Sequence, residues 1–227
     1  LQSHFTSFKL KDMPETFEQI FALPNAPQLV FLPANGIHHQ AYHSFLSQFK
    51  QFNINAFNYP PLWQSPPECP KTLHWGQFND LINQQFTFGN GCTGVGHSLG
   101  ATLLLYNAIR HPNRWKQLII IEPALFHPII CRIYRFISWL GLDHQLHPMV
   151  RLTNKRRITF DSHQSIFNSW RPRPQFKFMS DESLMAFIEA SFVKIDDHVQ
   201  LRFSKQWESE IYRSCTTLDP IIWKHLP

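Results

Sequence analysis

Short apolar runs alternate with amphipathic segments along the first 123 residues of the chain. The apolar runs have the length of buried strands, whereas the segments between them repeat apolar residues at i, i+3, i+4 and i+7, the spacing of one helix face. Strands that alternate with helices in this way are typical of an α/β fold with a mostly parallel sheet and helices on both faces. The pattern predicts strands at 5–10, 28–32, 54–59 and 118–121, a further strand ending at Val95, a turn around Asp12-Met13-Pro14, and helices at 40–50, 72–86 and 102–109.

The alternation stops after Pro123, where amphipathic helices follow one another. Capping residues and helical spacing predict helices at 128–140, 161–170 and 180–192, then a short strand at 198–203 and a helix at 204–213. A helical block inserted here is typical of a lid over the end of the sheet. We therefore expect an N-terminal core over 1–123, a helical lid over 124–205 and a return to the core over 206–227.

The first helix after Pro123 carries a strong apolar stripe. We expect this stripe to pack inside the lid, and contact with an acyl chain or a membrane surface is the alternative. The stripe consists of Ile129, Ile130, Ile133, Phe136, Ile137 and Leu140, with Arg132 and Arg135 on the opposite side.

The pentapeptide Gly96-His97-Ser98-Leu99-Gly100 lies between the strand that ends at Val95 and the helix that follows. A Gly-x-Ser-x-Gly sequence in a strand-to-helix corner predicts a nucleophile elbow, in which the serine hydroxyl projects above the sheet. Both glycines would be needed because side chains there would collide with the neighbouring strand and helix. The alternative is a glycine-rich structural turn with an idle serine.

The charge of the chain is unevenly distributed. The net charge is +5, and residues 124–205 hold 12 Lys and Arg against 7 Asp and Glu, whereas the remainder is balanced. We expect a solvated basic face, and a preference of the basic lid for an anionic substrate or an acidic carrier is the alternative. The run Lys155-Arg156-Arg157 has no aromatic platform or known motif beside it, so we expect no nucleic-acid partner.

The four cysteines, at 69, 92, 131 and 215, form no Cys-x-x-Cys pair and no compact framework, which suits reduced thiols. The first residues have no basic region followed by a long apolar stretch, and no apolar run approaches the ~18 residues of a membrane span. The sequence therefore predicts a cytoplasmic protein without an integral membrane segment.

The elbow, the Asn35-Gly36-Ile37 loop and the helical insertion together resemble the α/β-hydrolase superfamily, in particular its small lid-bearing serine esterases. The loop and the segment Pro61-Leu62-Trp63 look like variants of the superfamily's His-Gly loop and Asp-x-Arg-Gly-x-Gly segment, and this chain departs from the common form at both. The resemblance implies that Ser98 is the nucleophile.

The resemblance also implies an oxyanion hole made by the backbone N–H groups of Ile37 and Leu99. Asn35 and Gly36 would shape the loop beside it, and Trp63 would lie near the substrate. These residues fit the chemistry, because a serine hydroxyl needs a base and a tetrahedral oxyanion needs preorganised donors.

The superfamily places its catalytic acid and then its histidine after the elbow, usually beyond the lid. No histidine stands at the expected place before Pro227, so we expect the chain to be truncated and its catalytic histidine to lie beyond this residue. Glu122, at the end of the strand after the elbow helix, is a candidate for the acid. The alternative is a carboxylate that caps a loop or pairs with a basic residue.

We expect no cofactor and no metal. His39 and His43 would share a helix face, but no carboxylate or further ligand stands at suitable local spacing, so a surface pair is expected. The sequence as a whole predicts a serine hydrolase that cleaves a small apolar carboxylic ester or thioester through an acyl-enzyme on Ser98. The alternative is a non-catalytic or degraded hydrolase fold that binds a hydrophobic ligand or partner. The sequence gives no indication of the oligomeric state.

Overall fold

The computed structural model describes residues 16–226, apart from the side chain of His144. The strand predicted at 5–10 and the turn predicted at Asp12-Met13-Pro14 lie outside the described residues.

A five-stranded sheet organises the first half of the described chain. Its strands stand in the order β1-β3-β2-β4-β5, and all neighbours are parallel except β1, which runs antiparallel to β3. The predicted α/β class with a mostly parallel sheet is thus confirmed. The strands are β1 (Phe17–Phe21), β2 (Gln28–Leu32), β3 (Asn53–Phe57), β4 (Cys92–His97) and β5 (Trp115–Ile121).

Helices cover both faces of this sheet because alternate residues of each strand point to opposite sides. On β2, Val30 and Leu32 join a core with α2 and α3, whereas Leu29 and Phe31 join a second core with α1. The helix predicted at 40–50 is instead a 3₁₀ turn followed by one α-helical turn. The helices are α1 (His43–Leu46), α2 (Trp75–Gln85) and α3 (Leu99–Arg110).

The middle segment, residues 124–204, is less helical than the sequence predicts. One strand was predicted there, at 198–203, and the structure has a small antiparallel sheet of order β6-β8-β7. An apolar cluster of its own packs that sheet against two helices. The elements are α4 (Pro128–Trp139), α5 (Asp143–Leu146), α6 (Pro148–Lys155), β6 (Thr159–Phe160), α7 (His163–Trp170), α8 (Asp181–Ser191), β7 (Phe192–Ile195) and β8 (His198–Leu201).

Two last helices, α9 (Lys205–Arg213) and α10 (Asp219–His225), pack on the first core. Trp207, Ile211 and Ile222 are buried there against the residues of α2 and α3.

The apolar stripe of α4 faces solvent, and the expectation that it packs inside a lid is wrong for this structure. Phe136 is 59% exposed and Trp139 is 77% exposed, whereas Cys131 on the opposite side of the helix is buried. The helix therefore presents its most apolar face outward. Within residues 16–226, no helix has both the length and the apolar character needed to cross a membrane.

Asp219 connects α10 to the segment that follows β5. Its side chain is fully buried, and its Oδ1 accepts a hydrogen bond of 2.9 Å from the Phe126 N–H. Burial raises the pKa of this carboxyl from 3.8 to about 6, because the charged form loses its hydration. The folded state therefore holds a proton on Asp219 at pH values where the unfolded chain does not.

We expect the substitution Asp219→Asn to stabilise the protein at pH 8 by roughly 3 kcal/mol and to have little effect near pH 4. Because the pKa of Asp219 is higher in the folded than in the unfolded state, this carboxyl destabilises the fold progressively as the pH rises from about 4 to about 6. Asparagine keeps the hydrogen-bond acceptor for the Phe126 N–H and carries no charge. Urea unfolding at the two pH values measures this difference. The matched control is Asp161→Asn, at an exposed aspartate, and an equal gain at both pH values would contradict the prediction.

Candidate functional site

Ser98 occupies a strained corner between β4 and α3. Its backbone has φ +52° and ψ −114°, a conformation that residues with a Cβ rarely adopt. The Ser98 N–H donates to the Ile121 carbonyl at 3.0 Å, and the Ser98 carbonyl accepts from the N–H groups of Thr102 and Ala124 at 3.1 and 3.3 Å. The end of β5 and the first turn of α3 thus hold the strained residue in place.

The two glycines of the elbow are required by close backbone contacts. A Cβ on Gly96 would lie 2.7 Å from the Ala101 nitrogen, and a Cβ on Gly100 would lie 2.1 Å from the Leu32 carbonyl oxygen. Neither contact can be relieved by moving a flexible side chain, because both partners are backbone atoms. The first turn of α3 therefore lies directly against the end of β2.

We expect Gly100→Ala to destabilise the fold by roughly 3–5 kcal/mol, because the new methyl group would force α3 away from β2. The matched control is Gly89→Ala, where the backbone has a positive φ but no atom of the described residues lies within 4 Å of the position that a Cβ would take. That control should cost only about 1 kcal/mol. Urea unfolding of both variants measures the difference, and similar losses would contradict the proposed close contact.

The Ser98 hydroxyl has no partner among the described side chains. The residue is partly exposed, and among the described residues no side chain forms a hydrogen bond with its Oγ. The Leu99 N–H stands at the first position of α3, where helical N–H groups have no partner within the helix. The positive end of the helix dipole lies at the same point and favours negative charge there.

The strained backbone at Ser98 should lower the free energy of unfolding by a measurable amount. We expect Ser98→Gly to be more stable than Ser98→Ala by roughly 1 kcal/mol, because glycine adopts a positive φ without a steric penalty. At Ser169, an exposed serine within α7, the order should reverse, since glycine is the poorer helix former there. Thermal unfolding of the four variants tests this, and the same order at both positions would contradict it.

The loop after β2 lies beside the elbow, because Leu32 pairs with Gly96 in the sheet. The Ile37 N–H, which the resemblance assigns to the oxyanion hole, donates to the Ala34 carbonyl at 3.3 Å and closes a turn through Gly36 at φ +77°. This hydrogen bond is at the long end of the normal range. Asn35 is buried, and its Nδ2 donates to the Glu208 carbonyl at 3.2 Å.

A cavity of about 240 Å³ opens beside this loop. Its polar wall is the ion pair between Arg156 and the buried Glu208, whose carboxylate also accepts from the Thr153 hydroxyl at 3.3 Å. The Glu208 carboxylate would touch any side chain at Gly36, with contacts of 3.0–3.2 Å. The apolar part of the wall comes from Met149, Leu152, Trp170, Phe187 and Leu201 of the middle segment, and Asn35, Ser191 and Tyr212 add further polar atoms.

His97 supports the loop from beneath and does not reach the nucleophile through a hydrogen bond. The Tyr42 hydroxyl accepts from the Ala34 N–H at 3.3 Å and lies 2.7 Å from His97 Nδ1, so it can donate its own proton there. Burial lowers the pKa of His97, although Glu122 opposes this shift. The ring is therefore neutral at neutral pH, with its remaining N–H on Nε2.

Glu122 and Trp63 stand apart from the other predicted site residues. The Glu122 side chain is 88% exposed, and its carboxylate lies 4.0 Å from His97 Nε2. Trp63 is buried, its Nε1–H donates to the Asn58 carbonyl at 3.1 Å, and it is not part of the cavity wall. The loop and elbow residues do come together, because they follow the neighbouring parallel strands β2 and β4.

Sequence reasoning did not find Glu208, Thr153 or the role of Tyr42. Glu208 and Thr153 lie 55 residues apart in the chain and meet only through the packing of α6 on α9. No local motif marks such a pair. Of the two helices only α9 was predicted, at 204–213, and α6 was missed, so the sequence patterns could not have joined these residues.

Comparison with known proteins identifies the fold. No protein-family model matches the sequence, and no curated protein matches it. Similar solved structures include E-2-(acetamidomethylene)succinate hydrolase, with 13% identity and a TM-score of 0.63 over 88% of this chain and 68% of that one. A thioesterase domain from the curacin biosynthetic pathway has 15% identity and a TM-score of 0.59 over 83% of this chain and 68% of that one.

A third similar structure is the peroxisomal α/β-hydrolase Lpx1 of Saccharomyces cerevisiae, with 15% identity and a TM-score of 0.62 over 88% of this chain and 59% of that one. The chain has the α/β-hydrolase fold, as its sequence predicted. It spans about two thirds of the length of these structures or less.

Proposed function

We propose that the protein is a serine hydrolase that cleaves a carboxylic ester or thioester through an acyl-enzyme on Ser98. The observation that carries this proposal is the backbone of Ser98, held at a positive φ between β4 and α3 with its hydroxyl unengaged by any described side chain. Strain of this kind persists where the surrounding structure enforces it, and it is concentrated at active sites. A serine without a catalytic role in a structural turn would not need this strained backbone conformation.

In the proposed reaction, Ser98 Oγ attacks the substrate carbonyl carbon and loses its proton to a base. The tetrahedral oxyanion accepts hydrogen bonds from the N–H groups of Leu99 and Ile37. The Ile37 N–H would give up its long hydrogen bond to the Ala34 carbonyl and donate to the oxyanion instead. A hydrogen bond to a charged acceptor is the stronger of the two. Collapse expels the alcohol or thiol, and water then hydrolyses the acyl-enzyme. Each oxyanion donor is worth roughly 3–4 kcal/mol.

The general base of the proposal is a histidine in the part of the α/β-hydrolase fold that this chain does not span. Glu122 is the proposed acid, because it follows the strand after the elbow helix and its side chain is exposed enough to turn toward that histidine. Its present neighbour, His97, hydrogen-bonds Tyr42 and supports the loop, so it is not the proposed base.

The cavity supports a small or medium acyl group as the substrate. Gly36 and Ile37 of the loop line it, whereas Ser98 does not, and about half of its wall is apolar. We infer that an acyl chain would lie in this cavity with its carbonyl at the loop, on the side of the elbow. The thioesterase domain among the similar structures is consistent with a thioester leaving group.

A fluorophosphonate probe tests the proposal, because it reacts with an activated serine and leaves a stable adduct. We expect the full-length protein to be labelled at Ser98, identified by mass spectrometry of the modified peptide, and Ser98→Ala to remain unlabelled. The control Ser44→Ala, at an exposed serine of α1, should be labelled like the unmodified protein. Absence of labelling on the full-length protein would overturn the proposal and favour the non-catalytic binding fold.

A further inference from the structure

A second group of polar side chains lies at the other end of the loop after β2. The ligand atoms of Glu18, His38 and His39 all lie within 4.8 Å of one another. Both histidines are buried, whereas half of the Glu18 side chain is exposed, and His39 Nε2 lies 3.5 Å from Glu18 Oε1. The β1 strand and the 3₁₀ turn before α1 bring these residues together across about twenty residues of sequence.

The hydrogen bonds around His39 determine which ring nitrogen carries its proton. Asn58 Nδ2 donates to Glu18 Oε2 at 3.2 Å, so Asn58 Oδ1 is left to accept from His39 Nδ1 at 3.1 Å. With the proton on Nδ1, the lone pair of a neutral His39 on Nε2 faces the Glu18 carboxylate. Two acceptors therefore face each other across 3.5 Å, an arrangement that a cation between them would satisfy.

We propose that Glu18, His38 and His39 bind one divalent transition-metal ion, with zinc as the best fit. Zinc binds histidine nitrogen and carboxylate oxygen at about 2.0–2.2 Å in tetrahedral geometry, which separates two ligand atoms by about 3.4 Å. The His39–Glu18 separation already has this value within about 0.2 Å, the tolerance expected of a real site. Asn58 supplies the outer hydrogen bond to Nδ1–H that metal-binding histidines usually make.

Two features lower the affinity of this site. His38 Nδ1 accepts a hydrogen bond of 3.2 Å from the Gln40 N–H, and binding a metal through Nε2 would require a proton on Nδ1 and the loss of that bond. The positive charge of Arg202 acts on both histidines, and the same charge repels a cation. We therefore expect micromolar binding, with Glu18 and His39 as the stronger ligands.

The site is accessible from solvent. A cavity of about 190 Å³ is lined by residues that include Glu18, His39, Gln40 and His43, so an ion can enter from the β1 side and a water can complete its coordination. The sequence pairing of His39 with His43 suggested only a surface pair. The carboxylate that changes this interpretation comes from β1, which lies before the loop in sequence.

Calorimetric titration of the chelator-treated full-length protein with zinc tests the proposal, and cobalt(II) absorption reports tetrahedral coordination independently of any activity. We expect one ion per chain, at least tenfold weaker binding for Glu18→Gln and for His39→Gln, and unchanged binding for the control His225→Gln at an exposed histidine. Circular dichroism of each variant checks that it is folded.

Arg202→Met separates the proposal from a general loss of structure, because removing the repelling charge should tighten zinc binding, whereas a damaged fold would weaken it. The proposal is overturned if the unmodified protein shows no saturable binding up to millimolar zinc. It is also overturned if Glu18→Gln and His39→Gln, folded like the unmodified protein, bind zinc equally well.

Discussion

The contact between the first turn of α3 and the end of β2 is the constraint on which the candidate active site depends. Only the α-hydrogen of Gly100 fits against the Leu32 carbonyl, so the helix and the strand are in direct backbone contact and leave no room for a side chain. This closeness sets the first turn of α3 against the end of β2, from which the loop that carries Ile37 begins. It also compels the chain to turn within the single residue Ser98, which therefore takes a strained conformation.

Much of this arrangement could be predicted from the sequence, because it depends on local patterns. β2 was predicted at its observed bounds, since a buried parallel strand is a continuous apolar run. The elbow was predicted from two glycines at a fixed spacing. β1 was missed because an edge strand with polar residues on its exposed side has little apolar signal, and β6 is too short to show any.

The rest of the candidate site could not be predicted from local patterns. Glu208 meets Gly36 and Thr153 only after α9 packs on α6, and Tyr42 meets His97 only after the sheet has formed. The same is true of Glu18 beside His39. Pattern analysis was misleading for α4, because amphipathicity says that one face of a helix is apolar, but not which way that face points.

The outward face of α4 makes Trp139 distinctive among the indoles of the protein. Trp63, Trp75, Trp170 and Trp207 are each less than a tenth exposed, so dissolved quenchers such as iodide reach them poorly. Trp139 is in open contact with water and stacks on Phe136. Trp223 is 39% exposed, so Trp139 at 77% is the most exposed indole of the described residues and the one that such quenchers reach most readily. Its fluorescence is therefore an intrinsic optical reporter of whatever comes to cover this helix.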